Sequence, residues 1–176
     1  MKEKKRILSL LLSLLLITAL LLTPAGAQGF NTELLSVTQS TITDDYLGPV
    51  TPKDVIYQII TDRFYDGDPT NNIPAGFDPD LFDGTGTDIR LYQGGDWQGI
   101  IDQIPYLKSM GITAVWISAP YANRDQATHD GWTSYHGYHA RNYFTTNKHF
   151  GTMAEFDELQ QELTDAGIKL VIDFVT

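Results

Sequence analysis

Three short runs of this chain are largely apolar and rich in Val and Ile: Val55 to Ile60, Ile112 to Ile117, and Ile168 to Val175. Runs of that length and composition read as buried strands. Two helical segments separate them. Asp96 is placed to cap a helix that continues to about Met110, where Gly111 stops it. Ile100, Ile101, Ile104 and Leu107 fall on one face of that helix. Pro105 inside it implies a kink or two short helices. Thr152-Met-Ala-Glu155 forms a capping box. The helix it opens turns Phe156, Leu159 and Leu163 inward and ends near Gly167. Apolar strands alternating with helices predict an α/β fold with a parallel sheet covered on both faces. Right-handed crossovers then put two long loops, 62–96 and 118–150, at the carboxyl ends of the strands, the edge where such folds bind ligands.

The first of these loops is dense in oxygen donors. Asp66, Asp68, Asn71 and Asn72 follow the first strand, with Gly67 and Pro69 forcing turns between them. Further on, Gly94-Gly95-Asp96-Trp97 adds a carboxylate beside backbone that can approach closely. Carboxylate and amide oxygens bent around one point are what a calcium ion requires. A solvated, Asx-rich turn is the other reading of the same residues. The chain has no cysteine, which speaks against a zinc centre and excludes disulfides.

Residues 1–27 have the layout of a secretory signal peptide: a basic head, an apolar stretch from Ile7 to Leu22, and small residues at Ala25 and Ala27. The apolar stretch is short for a membrane span. Residues 28–51 read as a polar amino-terminal arm. The formal net charge is −10, and the leader holds several of the few basic residues. That balance disfavours nucleic acid or an anionic membrane as partner and suits an exported protein that binds cations and neutral ligands.

Six segments occur in order: Asp54 to Phe64, the Asp66 to Asn72 loop, Gly94-Gly95-Asp96-Trp97, Trp116-Ile-Ser118, Tyr135-His-Gly-Tyr138, and Val171-Ile-Asp-Phe174. The set resembles the start of the α-amylase superfamily of glycoside hydrolases, and within it the cyclodextrin glucanotransferases and maltogenic α-amylases. The resemblance implies that residues 52–176 are the first three strands of a (β/α)8 barrel, a fold of about 250 residues, and hence a truncated catalytic domain. It implies that Asp66, Asp68, Asn71, Asn72, Gly94 (through its carbonyl) and Asp96 hold Ca2+. It makes His136 and Tyr138 part of a sugar subsite, with Trp132 a candidate platform and Asp173 either a site residue or a structural carboxylate. The family's catalytic carboxylates follow later strands, so no catalytic residue is expected among these 176.

The pattern also departs from the family. His139 stands where tryptophan is usual and Asn142 where aspartate is usual. Gly86 and Gln93 occupy the places of a cysteine pair found in many glucanotransferases, and Ala127 the place of an aromatic. His136 and His139 are poorly spaced for a metal pair, and His129 and His149 read as solvated loop residues. The expected function is a secreted, monomeric enzyme acting on α-1,4-glucans such as starch by retaining transfer. An α-amylase-type or maltogenic hydrolase is the alternative, and a non-catalytic calcium- and glucan-binding protein is the reading from another class.

Overall fold

The computed structural model describes residues 46–175. The segment read as a leader, 1–27, and all but the last residues of the segment read as an arm, 28–51, lie outside the described residues. In chain order the elements are β1 (Ile56–Ile59), α1 (Trp97–Asp102), α2 (Ile104–Ser109), β2 (Ala114–Ile117), β3 (Tyr121–Asn123), β4 (Ala140–Thr146), α3 (Met153–Asp165) and β5 (Lys169–Ile172). Strands β1, β2 and β5 form a parallel sheet in that order, with Ile59, Ile117 and Ile172 in register at its carboxyl edge. Strands β3 and β4 pair antiparallel in a separate ribbon.

Local chemistry explains the helices. The Asp96 side chain accepts the Gly99 amide at 2.6 Å and starts α1. Gln103 ends α1 and begins α2, and Pro105 sits in the first turn of α2, where its missing N–H costs nothing. Of the two sequence readings of Pro105, two short helices is the one observed. Thr152 and Glu155 form the reciprocal capping box that opens α3. Gly111 and Gly167, both at positive φ, follow α2 and α3.

Ile59, Val115 and Ile117 project from one sheet face into a core with Trp97, Ile100, Leu107, Leu159 and Leu163. Burying each such side chain contributes roughly 1.5–3 kcal/mol. Trp97 joins the layers, with its ring 5.2 Å from those of Phe150 and Phe156 and its indole N–H donating to Thr146 Oγ1 at 3.2 Å. The opposite sheet face differs from expectation. Ile56 is 49% exposed and Trp116 38%, so the helices among the described residues cover one side only. In a closed barrel that inner side packs against the remaining strands.

Candidate functional site

The chain leaves β1 through a short 3-10 turn, Thr61–Arg63, and brings the acidic loop back against the start of α1. Asp96 organises this corner. Its Oδ1 accepts the amides of Gly67 and Gly99, and its Oδ2 accepts the Asp68 amide and the Asn71 side-chain amide, at 2.6–3.1 Å. Those four donors fill the acceptor sites of the carboxylate. Burial raises its pKa, and the four hydrogen bonds oppose that rise. Asp68 turns its own carboxylate to Thr70, accepting both the amide and the hydroxyl.

The remaining oxygens are less satisfied. Asn72 is buried and donates its side-chain amide to Asp66 Oδ2 at 2.7 Å. The Oδ1 atoms of Asn71 and Asn72 are buried with no hydrogen-bond partner. Gly94, at φ +98°, stands over Asn72 and Asp66: a Cβ there would lie 2.5 Å from Asn72 Oδ1 and 2.8 Å from Asp66 Oδ2. A Cβ at Gly95 would collide with the Thr61 carbonyl. These glycines therefore allow the backbone to close on the oxygen cluster. Among the described residues no three His, Cys, Asp or Glu side chains converge as a metal-holding group. The donors here are instead mixed carboxylate and amide, and two orphaned amide oxygens beside a carboxylate fit a hard cation.

His149 lies beneath this loop. It is 3% exposed, stacked on Tyr92 at 3.9 Å and edge-on to Phe77 at 4.2 Å, with Nδ1 3.2 Å from the Asn72 carbonyl. The expectation of a solvated loop residue is corrected: two aromatic rings and a backbone carbonyl take the place of water. Burial holds its pKa down at about 4, so the imidazole is neutral, and its Nε2 has no partner. His129, in contrast, is fully exposed.

The second long loop carries Trp132 to Tyr138 to the same edge. The Tyr138 hydroxyl donates to Asp173 Oδ2 at 2.7 Å, just past β5, and Tyr138 is 44% exposed. His136 Nδ1 accepts the Tyr138 amide at 2.9 Å, which leaves the neutral ring's proton on Nε2, free to donate. Burial, with the charges of His139 and Arg63, lowers the His136 pKa. Trp132 lies 6.4 Å from Tyr135 and Tyr135 lies 5.3 Å from His136. All four sugar-contact candidates thus lie on this edge, with Tyr138 and Asp173 bonded to each other. Gly86 and Gln93 are also joined directly, the Gly86 amide donating to Gln93 Oε1 at 2.8 Å.

The family described as alpha amylase, catalytic domain, matches residues 58–176, more than half of the chain. The chain belongs to the α-amylase family. A cyclomaltodextrin glucanotransferase of Paenibacillus macerans is 53% identical over 126 residues, covering 69% of this chain and 17% of that protein. The crystal structure of Gamma-CGTase from alkalophilic Bacillus clarkii superposes with a TM-score of 0.65 at 49% identity, covering 69% of this chain and 18% of that one. An Anoxybacillus α-amylase structure matches with a TM-score of 0.55 at 36% identity, over 69% of this chain and 23% of its own. The chain spans about 17% of the length of the curated relatives it matches. Its three parallel strands are the first three of the α-amylase (β/α)8 barrel.

Two features of this α-amylase domain escaped sequence reasoning. The β3–β4 ribbon has two register shifts, which erase the alternation that would mark it. Arg63, whose guanidinium lies 3.8 Å over the Tyr135 ring, had no role assigned within its segment, because that ring and the Ile89 carbonyl it also bonds are remote in sequence.

Proposed function

We propose that this chain is the amino-terminal part of the catalytic barrel of a secreted, monomeric, calcium-stabilised enzyme acting on α-1,4-glucans by retaining glycosyl transfer, of the cyclodextrin glucanotransferase type. The observation that carries this reading is the edge formed by His136, Tyr138 and Asp173. A partly exposed aromatic ring such as that of Tyr138 can pack on the apolar face of a glucose ring, and the adjacent imidazole N–H can donate to a sugar hydroxyl. The hydroxyl bond to Asp173 fixes the ring's orientation. About half the residues are shared with cyclomaltodextrin glucanotransferases over the matched region, which supports the transferase assignment. The two carboxylates that retaining chemistry needs are assigned to no residue of this chain.

Asp66, Asn71, Asn72 and the Gly94 carbonyl would hold the calcium ion, with Asp68 and Asp96 shaping the loop around it. The ion would supply structural order at the mouth of the barrel. The leader supports export, and the acidic balance supports a neutral sugar ligand rather than nucleic acid. Hydrolysis is the second reading, favoured by the likeness to the Anoxybacillus α-amylase.

The test uses the full-length enzyme with maltodextrin as substrate. Calcium chelation is expected to lower the melting temperature, since a hundredfold excess over Kd adds about 2.7 kcal/mol to the folded state. Tyr138→Ala is expected to cost far more turnover than stability. Cyclic products favour transfer and linear products favour hydrolysis. Unchanged melting after verified calcium removal counts against the ion, and wild-type turnover in Tyr138→Ala counts against the sugar contact.

A further inference from the structure

Arg63 joins its neighbour Asp62 to two remote segments. Its Nε lies 3.3 Å from Asp62 Oδ2, its Nη2 donates to the Ile89 carbonyl at 2.7 Å, and its Cζ stands 3.8 Å from the centre of the Tyr135 ring. Asp62 is itself 1% exposed. Its carboxylate accepts the Gln93 amide at 3.0 and 3.1 Å and the Gly94 amide at 3.3 Å, and its carbonyl accepts the Gly95 amide at 2.9 Å. Asp62 thus grips the same glycine corner that stands over Asn72 and Asp66. On the far side of Arg63, Tyr135 opens the run that ends at Tyr138. An unbroken set of contacts therefore leads from the oxygen cluster, through Asp62, Arg63 and Tyr135, to His136.

The chemistry of the link is specific to arginine. A guanidinium can pair with a carboxylate, bond a carbonyl and lie flat on an aromatic ring at once, which a lysine ammonium cannot do. The loop bearing Tyr135 has a second anchor: the Thr133 amide and hydroxyl both donate to the Arg90 carbonyl at 2.9 Å. Loss of the Arg63 contact should therefore tilt the Tyr135–His136 rings without releasing the loop. A cleft of about 360 Å³ is lined by Arg63, Gly84, Gly86, Ile89 and Gln93, and the Arg63 side chain is 24% exposed, so the position is not sealed in a packed core.

We infer that Arg63 is a positioning residue that couples the ion-holding corner to the sugar-contact run through Asp62 and Tyr135. This rests on the calcium and glucan reading proposed above. Ordering of the Gly94 corner by the ion fixes Asp62. Asp62 fixes the guanidinium, and the guanidinium fixes the plane of Tyr135 against which His136 packs.

The experiment uses the full-length enzyme and its Arg63→Met, Arg63→Lys, Tyr135→Leu and Arg63→Met/Tyr135→Leu variants. Calcium is titrated while the emission of Trp132 is followed, with Trp132→Phe identifying its share of the signal. KM and kcat on maltodextrin are then measured at saturating calcium. In Arg63→Met the calcium-driven Trp132 change should fall to about a third or less, with calcium affinity within about threefold of wild type. KM should rise about fivefold, the scale of one cation–π contact, with kcat changed less than about twofold. Arg63→Lys should recover only part of this, and adding Tyr135→Leu to Arg63→Met should raise KM no further, the signature of two groups acting as one unit. A wild-type KM in Arg63→Met, independent effects in the double variant, or a parallel loss of calcium affinity and melting temperature would each overturn the coupling. If wild type binds calcium but no glucan, the glucan reading fails while the Trp132 signal and its Arg63 dependence still decide the coupling. A wild type with no calcium affinity overturns both.

Discussion

At the amino ends of the three parallel strands, Asp54, Thr113 and Lys169 satisfy one another; at the carboxyl ends, buried polar atoms are left over. Asp54 accepts the Thr113 hydroxyl and the Lys169 ammonium, both at 2.9 Å, while Thr113 Oγ1 also accepts the Val55 amide. One residue from each strand entrance closes the set. At the opposite edge the Oδ1 atoms of Asn71 and Asn72 and the Nε2 of His149 have no partner. A fold can keep unsatisfied buried groups only where something else recompenses them, and sites collect at this edge of α/β barrels. The amino edge is closed on itself, and the carboxyl edge keeps buried polar atoms that the proposed ion would satisfy.

The sharpest way to break this contrast is Asp96→Ala. It would strip partners from three backbone amides and one side-chain amide, at roughly 1–3 kcal/mol for each that stays buried. A loss of more than about 3 kcal/mol in urea unfolding is expected, together with loss of calcium affinity. If affinity survives intact, the corner does not depend on its central carboxylate.

Next in size is the pH response of His149. Its folded pKa, about 4, lies below the ordinary 6.5. Between those values the unfolded chain takes up a proton that the folded chain refuses, so stability falls as pH drops from 6.5 towards 4. Asp62 works in the other direction: burial pushes it up to about 6 from 3.8, so acidification through that range relieves a cost. Comparing His149→Phe with wild type isolates the imidazole. The two should lie within about 1 kcal/mol at neutral pH, and the variant should gain about 2–3 kcal/mol on wild type near pH 4.5. Parallel stability profiles would show that the imidazole is not held neutral.

What was legible in the sequence follows from how local each signal is. Asp96, Thr152 and Glu155 announce helix starts within four residues, and the three apolar runs announce strands by composition alone. The oxygen-rich loop was visible because its donors are neighbours in sequence. His149 was misread because its burial depends on Tyr92 and Phe77, far upstream, and no local pattern records that stack. The exposed sheet face was misjudged for a related reason. Apolar runs indicate that both faces can be buried, but not which elements cover them.

At the amino edge the contrast predicts a smaller and purely thermodynamic effect. Lys169 holds the Asp54 pKa well below the usual carboxylate range, helped by Thr51 and Thr113. A depressed carboxylate contributes stability above its unfolded value of 3.8 and loses it as pH falls below that. Asp54→Asn should therefore lower the melting temperature by a few degrees at neutral pH, and the deficit should shrink once pH drops under about 4. KM and calcium affinity of the full-length enzyme should not move. A change in either would mean that the two edges are not independent.

The smallest effect separates two ways in which Tyr138 can serve the carboxyl edge. Tyr138→Phe keeps the ring and removes only the hydroxyl bond to Asp173, which is partly exposed, so stability should change by no more than about 1 kcal/mol. If the aromatic face carries the sugar contact, KM for maltodextrin should rise only about two- to threefold, the cost of a less firmly oriented ring. Tyr138→Ala, which removes the face itself, should be far worse. Should Phe and Ala prove equally damaging, the hydroxyl and its carboxylate partner would be the working pair, and Asp173→Asn would then reproduce the loss. With Tyr138→Phe mild, Asp173→Asn should be mild as well, and Asp173 would act on glucan only through the ring it orients.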